Sequence, residues 1–224
     1  MAASVPRSAA ADQASLGELA RMVDPVYAAA QKLAETLQQR RRRIVFAESC
    51  TAGLVSATLA RIPGISEWHC GSAVVYRLDT KHRWLGVSEA ELLNPGPVSR
   101  CVAEAMARGV LERTPEADVS VAVTGHLGPQ APPDQDGLVF IAGATRRTSV
   151  DPDQPVDPDQ PVDPDKPVDP DQPVDSDQPG PLLTAQELRL SNSPEIPYTL
   201  RDSRQRWAAE AVLRMAERLV TSCR

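Results

Sequence analysis

Ile44-Val45-Phe46-Ala47-Glu48-Ser49-Cys50-Thr51-Ala52-Gly53 passes from an unbroken apolar run into a cluster of small polar residues. A short apolar run flanked by segments of helical period reads as a strand buried on both faces, and the small residues after it open a helix. A strand-to-helix turn leaves the first helical N–H groups without intrahelical partners, ready for an anion or a developing oxyanion. Ser49 and Thr51 stand at that turn, so it is the place to expect a nucleophile.

Working outward, Asp24-Pro25 starts a helix with an acceptor at the cap and Pro in the first turn, and Val26, Ala29, Ala30, Leu33 and Leu37 recur on one of its faces. Arg40 to Arg43 end it, as a solvated basic helix end that offsets the negative pole of the dipole. Without interleaved aromatics this run argues against a nucleic-acid surface. Downstream, the pattern predicts a helix over 50–61, a strand at Ser72 to Tyr76 and a helix over 100–113 capped by Ser99. Val119 to Val123 reads as a central strand leading into the loop Thr124-Gly125-His126-Leu127-Gly128-Pro129. A further strand over Gly137 to Ala142 is expected to pair near Ile196 to Leu200, and a last helix is expected from Arg204 to Thr221. Strands separated by helices predict a single layered α/β/α domain with a mixed, largely parallel sheet, whose site is built by loops leaving the carboxyl ends of strands.

Whole-chain averages mislead here. From Val150 the chain runs through five hexads, VDPDQP, VDPDQP, VDPDKP, VDPDQP and VDSDQP, which carry a charge of -9 out of the formal -6, leaving about +3 on the remainder. Pro and Asp in alternation preclude a helix and an unbroken strand ladder, so an exposed, polyproline-like or turn-rich acidic insert is expected over 150–180. The Asp spacing lacks the Gly and terminal Glu of a calcium loop. The expected organisation is a flexible segment over 1–22 and one domain formed by 23–149 and 181–224. No apolar stretch has the length of an export signal or a membrane span, so a cytoplasmic protein with no membrane partner is expected. Cys50, Cys70, Cys101 and Cys223 form no CxxC pair, and His69, His82 and His126 form no ligand pattern, so neither a disulfide framework, a metal nor a cofactor is expected.

Glu48-Ser49-Cys50-Thr51-Ala52-Gly53, Gly71 through Tyr76 with Lys81, Leu85-Gly86-Val87, Gly96-Pro97-Val98-Ser99, and Thr124-Gly125 with Gly128-Pro129 and Gly137 resemble the nicotinamide-nucleotide amidohydrolase family, the C-terminal domain of the CinA competence/damage-inducible proteins. The resemblance covers about residues 25–146 and 195–222. It implies an α/β protein, commonly a homodimer, that hydrolyses the carboxamide of nicotinamide mononucleotide to nicotinate mononucleotide and ammonia in pyridine nucleotide salvage. It places the nucleophile on Ser49 and the accompanying Tyr and Lys on Tyr76 and Lys81. A serine hydroxyl is a poor nucleophile until a base takes its proton, and a desolvated Lys amine suits that task. Glu48, Thr51, Thr124, Gly125, Gly128 and Arg206 are the expected substrate-binding residues, with Thr51, the helix N–H groups and the 124–128 loop holding phosphate or ribose and the oxyanion.

Read from the residues alone, each position has a plainer alternative. Ser49 also reads as an N-cap, Lys81 as a surface residue ending a strand, Tyr76 as a packing aromatic, and Glu48 as a structural hydrogen-bonding partner of Thr51. The chain also departs from the family pattern where substrate would bind. Ala52-Gly53 replaces two glycines. The loop usually reading Thr/Ser-Gly-Ile-Ala-Gly-Pro-Asp-Gly-Gly here continues Gly128-Pro129-Gln130-Ala131-Pro132-Pro133, two residues shorter before Gly137. The family's Gly-Asp-Arg falls on Leu200, Arg201 and Asp202. Two functions therefore compete: an active amidohydrolase whose altered loop is compensated by Arg201, Arg204 or Arg206, and a non-catalytic nucleotide-binding or protein-interaction member. An amidase for another substrate is a third.

Overall fold

The computed structural model describes residues 24–146, 182–195 and 198–222. The flexible segment expected over 1–22 and the acidic insert expected over 150–180 lie outside the described residues.

Helix α1 (Pro25–Arg40) begins as its sequence requires: Asp24 Oδ1 accepts from Val26 N at 3.0 Å and Tyr27 N at 3.2 Å, satisfying two donors that the helix cannot. It stops at Arg41, whose φ of 51° is left-handed. Strand β1 (Ile44–Glu48) is buried at all five positions. After α2 (Leu54–Leu59) and a 3₁₀ turn (Ile65–Glu67) comes β2 (His69–Val74). Three helices follow, α3 (Leu78–Leu85), α4 (Glu89–Leu93) and α5 (Arg100–Glu112), then β3 (Val119–Gly125), β4 (Leu138–Thr145), β5 (Leu182–Arg189) and α6 (Leu200–Ser222).

The sheet order is β2-β1-β3-β4-β5. The first three strands are parallel and the last two pairings antiparallel, so the sheet is mixed. Alternation on the strands sorts side chains between two cores. Ile44, Phe46, Val121 and Ile141 face α1, α2 and α6, whose Leu33, Leu37, Val55 and Leu213 cover them. Val45, Ala47, Ala122 and Ala142 face the other way, against Leu85 of α3, Leu92 of α4 and Met106 and Val110 of α5. The result is a layered α/β/α domain. From β1 the chain moves to one side through α2 to β2, then crosses back on the opposite face through α3–α5 to β3. The carboxyl ends of β1 and β3 thus flank a topological switch point, where a crevice is expected.

Several boundaries differ from the sequence reading. The strand expected at Ser72 to Tyr76 lies at His69–Val74, and the helix expected from Arg204 begins at Leu200. The partner of β4 is Leu182–Arg189, paired from Leu138↔Arg189 to Thr145↔Leu182; of the expected partner segment near Ile196 to Leu200, residues 196–197 lie outside the described residues and Leu200 begins α6. Among the described residues, no helix is long and apolar enough to cross a membrane.

Candidate active site

The turn after β1 is organised by Glu48. Its side chain is fully buried and accepts five hydrogen bonds. Oε2 takes Thr51 Oγ1 at 2.8 Å, Gly53 N at 3.0 Å and Val55 N at 3.1 Å, and Oε1 takes Ser56 N at 2.9 Å and Ser72 Oγ at 3.1 Å. A carboxylate carried by the preceding strand therefore caps α2 from beneath, satisfying donors that would otherwise be orphaned. Residues 49–53 form a turn, closed by Ala52 N to Ser49 O at 3.1 Å, with φ of 54° at Ala52 and 96° at Gly53. The helix consequently starts at Leu54, not at residue 50. This corrects the expected roles of Glu48 and Thr51: both point into the protein, and the helix N–H groups expected to hold phosphate already meet the Glu48 carboxylate.

Ser49 faces the other way. β2 continues into the loop before α3 with Val75 N donating to Glu48 O at 2.8 Å, which brings the first turn of α3 under the Ser49 turn. Lys81, 2% exposed, donates from Nζ to Ser49 Oγ at 2.6 Å and to Val75 O at 2.8 Å. Burial pushes its ammonium down from the ordinary 10.5 to about 8. Burial also pushes the Cys50 thiol up to about 12, so Cys50 stays protonated and Ser49 is the nucleophile candidate of the turn.

Ser49, Lys81 and Tyr76 open onto a cleft of about 850 Å³ whose far wall is the loop after β3. Thr124, Gly125 and Gly128 line that wall. The Thr124 hydroxyl donates to Pro97 O at 2.8 Å, so it ties the 96–99 segment to the cleft. The Tyr76 ring is 56% exposed, at the mouth. Its hydroxyl accepts from Arg201 Nη2 at 2.9 Å, while Arg201 Nη1 donates to Gly128 O at 2.6 Å. Arg201 thus spans the mouth from one rim to the other.

The other two candidate arginines are elsewhere. Arg204 is fully buried and holds Asp136 through Nη1 at 2.8 Å and Nη2 at 2.7 Å, with Leu127 O, Ser191 O and Asn192 Oδ1 taking further donors. That bidentate pair holds the Asp136 carboxyl below the usual carboxylate range. It braces the rebuilt 126–137 loop against α6. Arg206, expected to bind substrate, instead pairs with Asp24 at 2.6 Å and lies over the Tyr198 ring at 4.7 Å, away from the cleft lining. Its place is explained by helix geometry: residues five apart on a helix point about 140° from one another, so Arg201 and Arg206 cannot both face the cleft.

The model of the CinA C-terminal domain family matches residues 26–155. A CinA-like protein of Geobacter metallireducens is 45% identical over 101 residues, which are 44% of this chain and 24% of that protein. A CinA-like protein of Prochlorococcus marinus is 42% identical over 112 residues, 49% of this chain and 26% of that protein. The chain therefore spans about a quarter of the length of these curated relatives. Among solved structures, the competence/damage inducible protein CihA from Agrobacterium tumefaciens superposes with a TM-score of 0.65 at 25% identity, covering 85% of this chain and 93% of its own. The competence damage-inducible protein A from Klebsiella pneumoniae gives 0.67 at 18% identity, over 89% of this chain and 99% of its own, a likeness of fold.

Proposed function

Because the chain belongs to the CinA C-terminal domain family, we propose that it is a nicotinamide-nucleotide amidohydrolase, converting nicotinamide mononucleotide to nicotinate mononucleotide and ammonia with Ser49 as nucleophile and Lys81 as base. The observation that carries this reading is the buried Lys81–Ser49 contact at 2.6 Å, at the wall of a cleft, with the lysine brought by burial to about 8. A hydroxyl and an amine at hydrogen-bonding distance, at a proton affinity near neutrality, form a nucleophile and general base.

The neutral Lys81 amine takes the Ser49 Oγ proton as Oγ bonds to the carboxamide carbon and its carbonyl oxygen becomes an oxyanion. Ser49's own N–H donates to Val123 O at 3.1 Å, so the oxyanion takes its donors from other groups of the turn. The C–N bond then breaks, and the Lys81 ammonium returns its proton to the departing nitrogen, which leaves as ammonia. Water, deprotonated by Lys81, opens the Ser49 ester and releases the carboxylate, restoring both side chains. Tyr76, hydrogen-bonded by Arg201 at 2.9 Å, stands at the mouth of the cleft.

The test is ammonia release from nicotinamide mononucleotide by the purified chain, with Ser49→Ala and Lys81→Ala. Release by the wild type alone supports the serine mechanism. Release that persists in folded Ser49→Ala overturns it, and a folded, inactive wild type that still binds the nucleotide favours the binding-protein alternative, for which the proline-bearing loop is the specific support. The homodimer that the family resemblance implies belongs to the same proposal and is read by sedimentation equilibrium.

A further inference from the structure

We infer that Arg201 is the residue that selects a phosphorylated amide over its unphosphorylated counterpart, by binding the phosphate at the mouth of the cleft. This rests on the amidohydrolase reading of the site. In a chain whose Asp-Gly-Gly loop is replaced, the phosphate needs another anchor, and of the two exposed arginines lining the cleft, Arg77 and Arg201, Arg201 is the one whose guanidinium is held across its mouth.

The charged side chains that line the cleft are Arg77, Asp79, Lys81 and Arg201. Lys81 is buried beneath Ser49 and belongs to the chemistry. Asp79, the one carboxylate among these lining residues, is paired with Arg83 at 3.0 Å, so it does not neutralise the mouth. Arg201 has no carboxylate within ion-pairing distance among the described residues; its two hydrogen-bond acceptors are a phenol oxygen and a peptide carbonyl. Those contacts use one hydrogen on each terminal nitrogen, and a guanidinium has five. They fix the plane of the group and leave donors in the fork arrangement that matches a phosphate. Arg201 also stands in the first turn of α6, a helix of 23 residues, where a cation meets the positive pole of the helix dipole and an anion is favoured. Asp202 beside it is hydrogen-bonded by Thr199 Oγ1 at 2.6 Å. A guanidinium oriented by neutral oxygens, at the positive end of a helix and facing a cleft, is placed to take an anion.

The test compares kcat/KM for nicotinamide mononucleotide and for nicotinamide riboside, which has the same amide and ribose without the phosphate, in the wild type, Arg201→Gln and Arg201→Lys. Loss of a charge-assisted contact to phosphate is worth on the order of 30-fold. Arg201→Gln is expected to lower kcat/KM for the mononucleotide by about that factor more than for the riboside, mainly through KM, the loss shared by both substrates reading the Tyr76 contact, with Arg201→Lys in between. Equal losses on both substrates would overturn the proposal and assign Arg201 to holding Tyr76; no loss on either would overturn it outright. If the wild type hydrolyses neither amide, the amidohydrolase reading fails separately. Titration of wild type and Arg201→Gln with inorganic phosphate then decides on Arg201: binding weakened in the variant supports the anion site, and equal binding rejects it.

Discussion

Replacing Glu48 by Gln changes one atom in the turn that carries Ser49, and the cost follows from its five donors. If the amide nitrogen takes the place of Oε2, the N–H groups of Gly53 and Val55 both face a donor; if it replaces Oε1, only the Ser56 N–H does, because the Ser72 hydroxyl can turn to accept. The second arrangement costs less. It leaves one buried N–H without an acceptor, about 1–3 kcal/mol, and weakens the remaining contacts by removing their charge, an effect offset in part by no longer burying an anion. A net loss of about 2 kcal/mol is expected, or a fall in Tm of about 4–8 °C for a domain of this size. Glu48→Ala, which removes the acceptor from all five donors, is expected to cost about 3–5 kcal/mol. Urea unfolding should show the midpoint moving with little change in slope, and ammonia release should fall in both variants as the Ser49 turn loosens. A Gln variant melting within about 1 °C of the wild type with full turnover would refute the view that this carboxylate holds the turn.

Four further outcomes are expected. Because Lys81 must be neutral to act and loses its proton near 8, kcat/KM should rise about tenfold per pH unit below that value and level off above it; a rate flat from pH 6 to 9 would remove Lys81 as base. The same group gives stability a sign: between about 8 and 10.5 the unfolded chain holds a proton that the folded one has released, so Lys81 adds stability as pH rises, while the Cys50 thiol, pushed from 9.0 to about 12, removes it above about 9; a net rise is expected from about 8 to 9, and Lys81→Met should abolish it. Gly128→Ala forces a side chain onto a φ of +69° with its Cβ 2.7 Å from Arg204 Nη1 and from Asp136 Oδ1; a loss of at least about 1–2 kcal/mol is expected from the backbone alone, and an unchanged melting curve would contradict the packing described. Deleting residues 150–179 should leave both Tm and turnover nearly unchanged, measured by calorimetry and ammonia release, since the strands on either side are already paired.

Much of the fold is legible because its signals are local. Asp24-Pro25 caps α1 as the residue types dictate, and the apolar spacing of α1, α5 and α6 marks the faces that meet the sheet. β5 was hidden because Leu182-Leu183-Thr184-Ala185-Gln186-Glu187-Leu188-Arg189 is built largely from helix formers; pairing along β4 imposes a strand on it. The short α3 and α4 carry too few apolar residues to announce themselves. In the site, the nearness of Lys81 to Ser49 followed from recognising the motif, whereas the inward aim of Glu48 and Thr51 did not. A carboxylate at a strand end looks the same in sequence whether it awaits a ligand or caps the next helix. Arg201 and Arg206 likewise differ only in helix register, which depends on where α6 starts.

The hairpin formed by β4 and β5 bears on how this chain can change over generations. Thr145 and Leu182, which bracket the hexads, are paired neighbours at one end of the hairpin, whereas Leu138, next to the cleft loop, lies at the other, about 24 Å away along the strand. Whole hexads, each an in-frame unit, can be gained or lost between two such points at a closure cost of only about 0.6 kcal/mol per doubling of length. The cleft end of the sheet is separated from that change by the length of its own strands, so hexads can be added or removed far from Ser49.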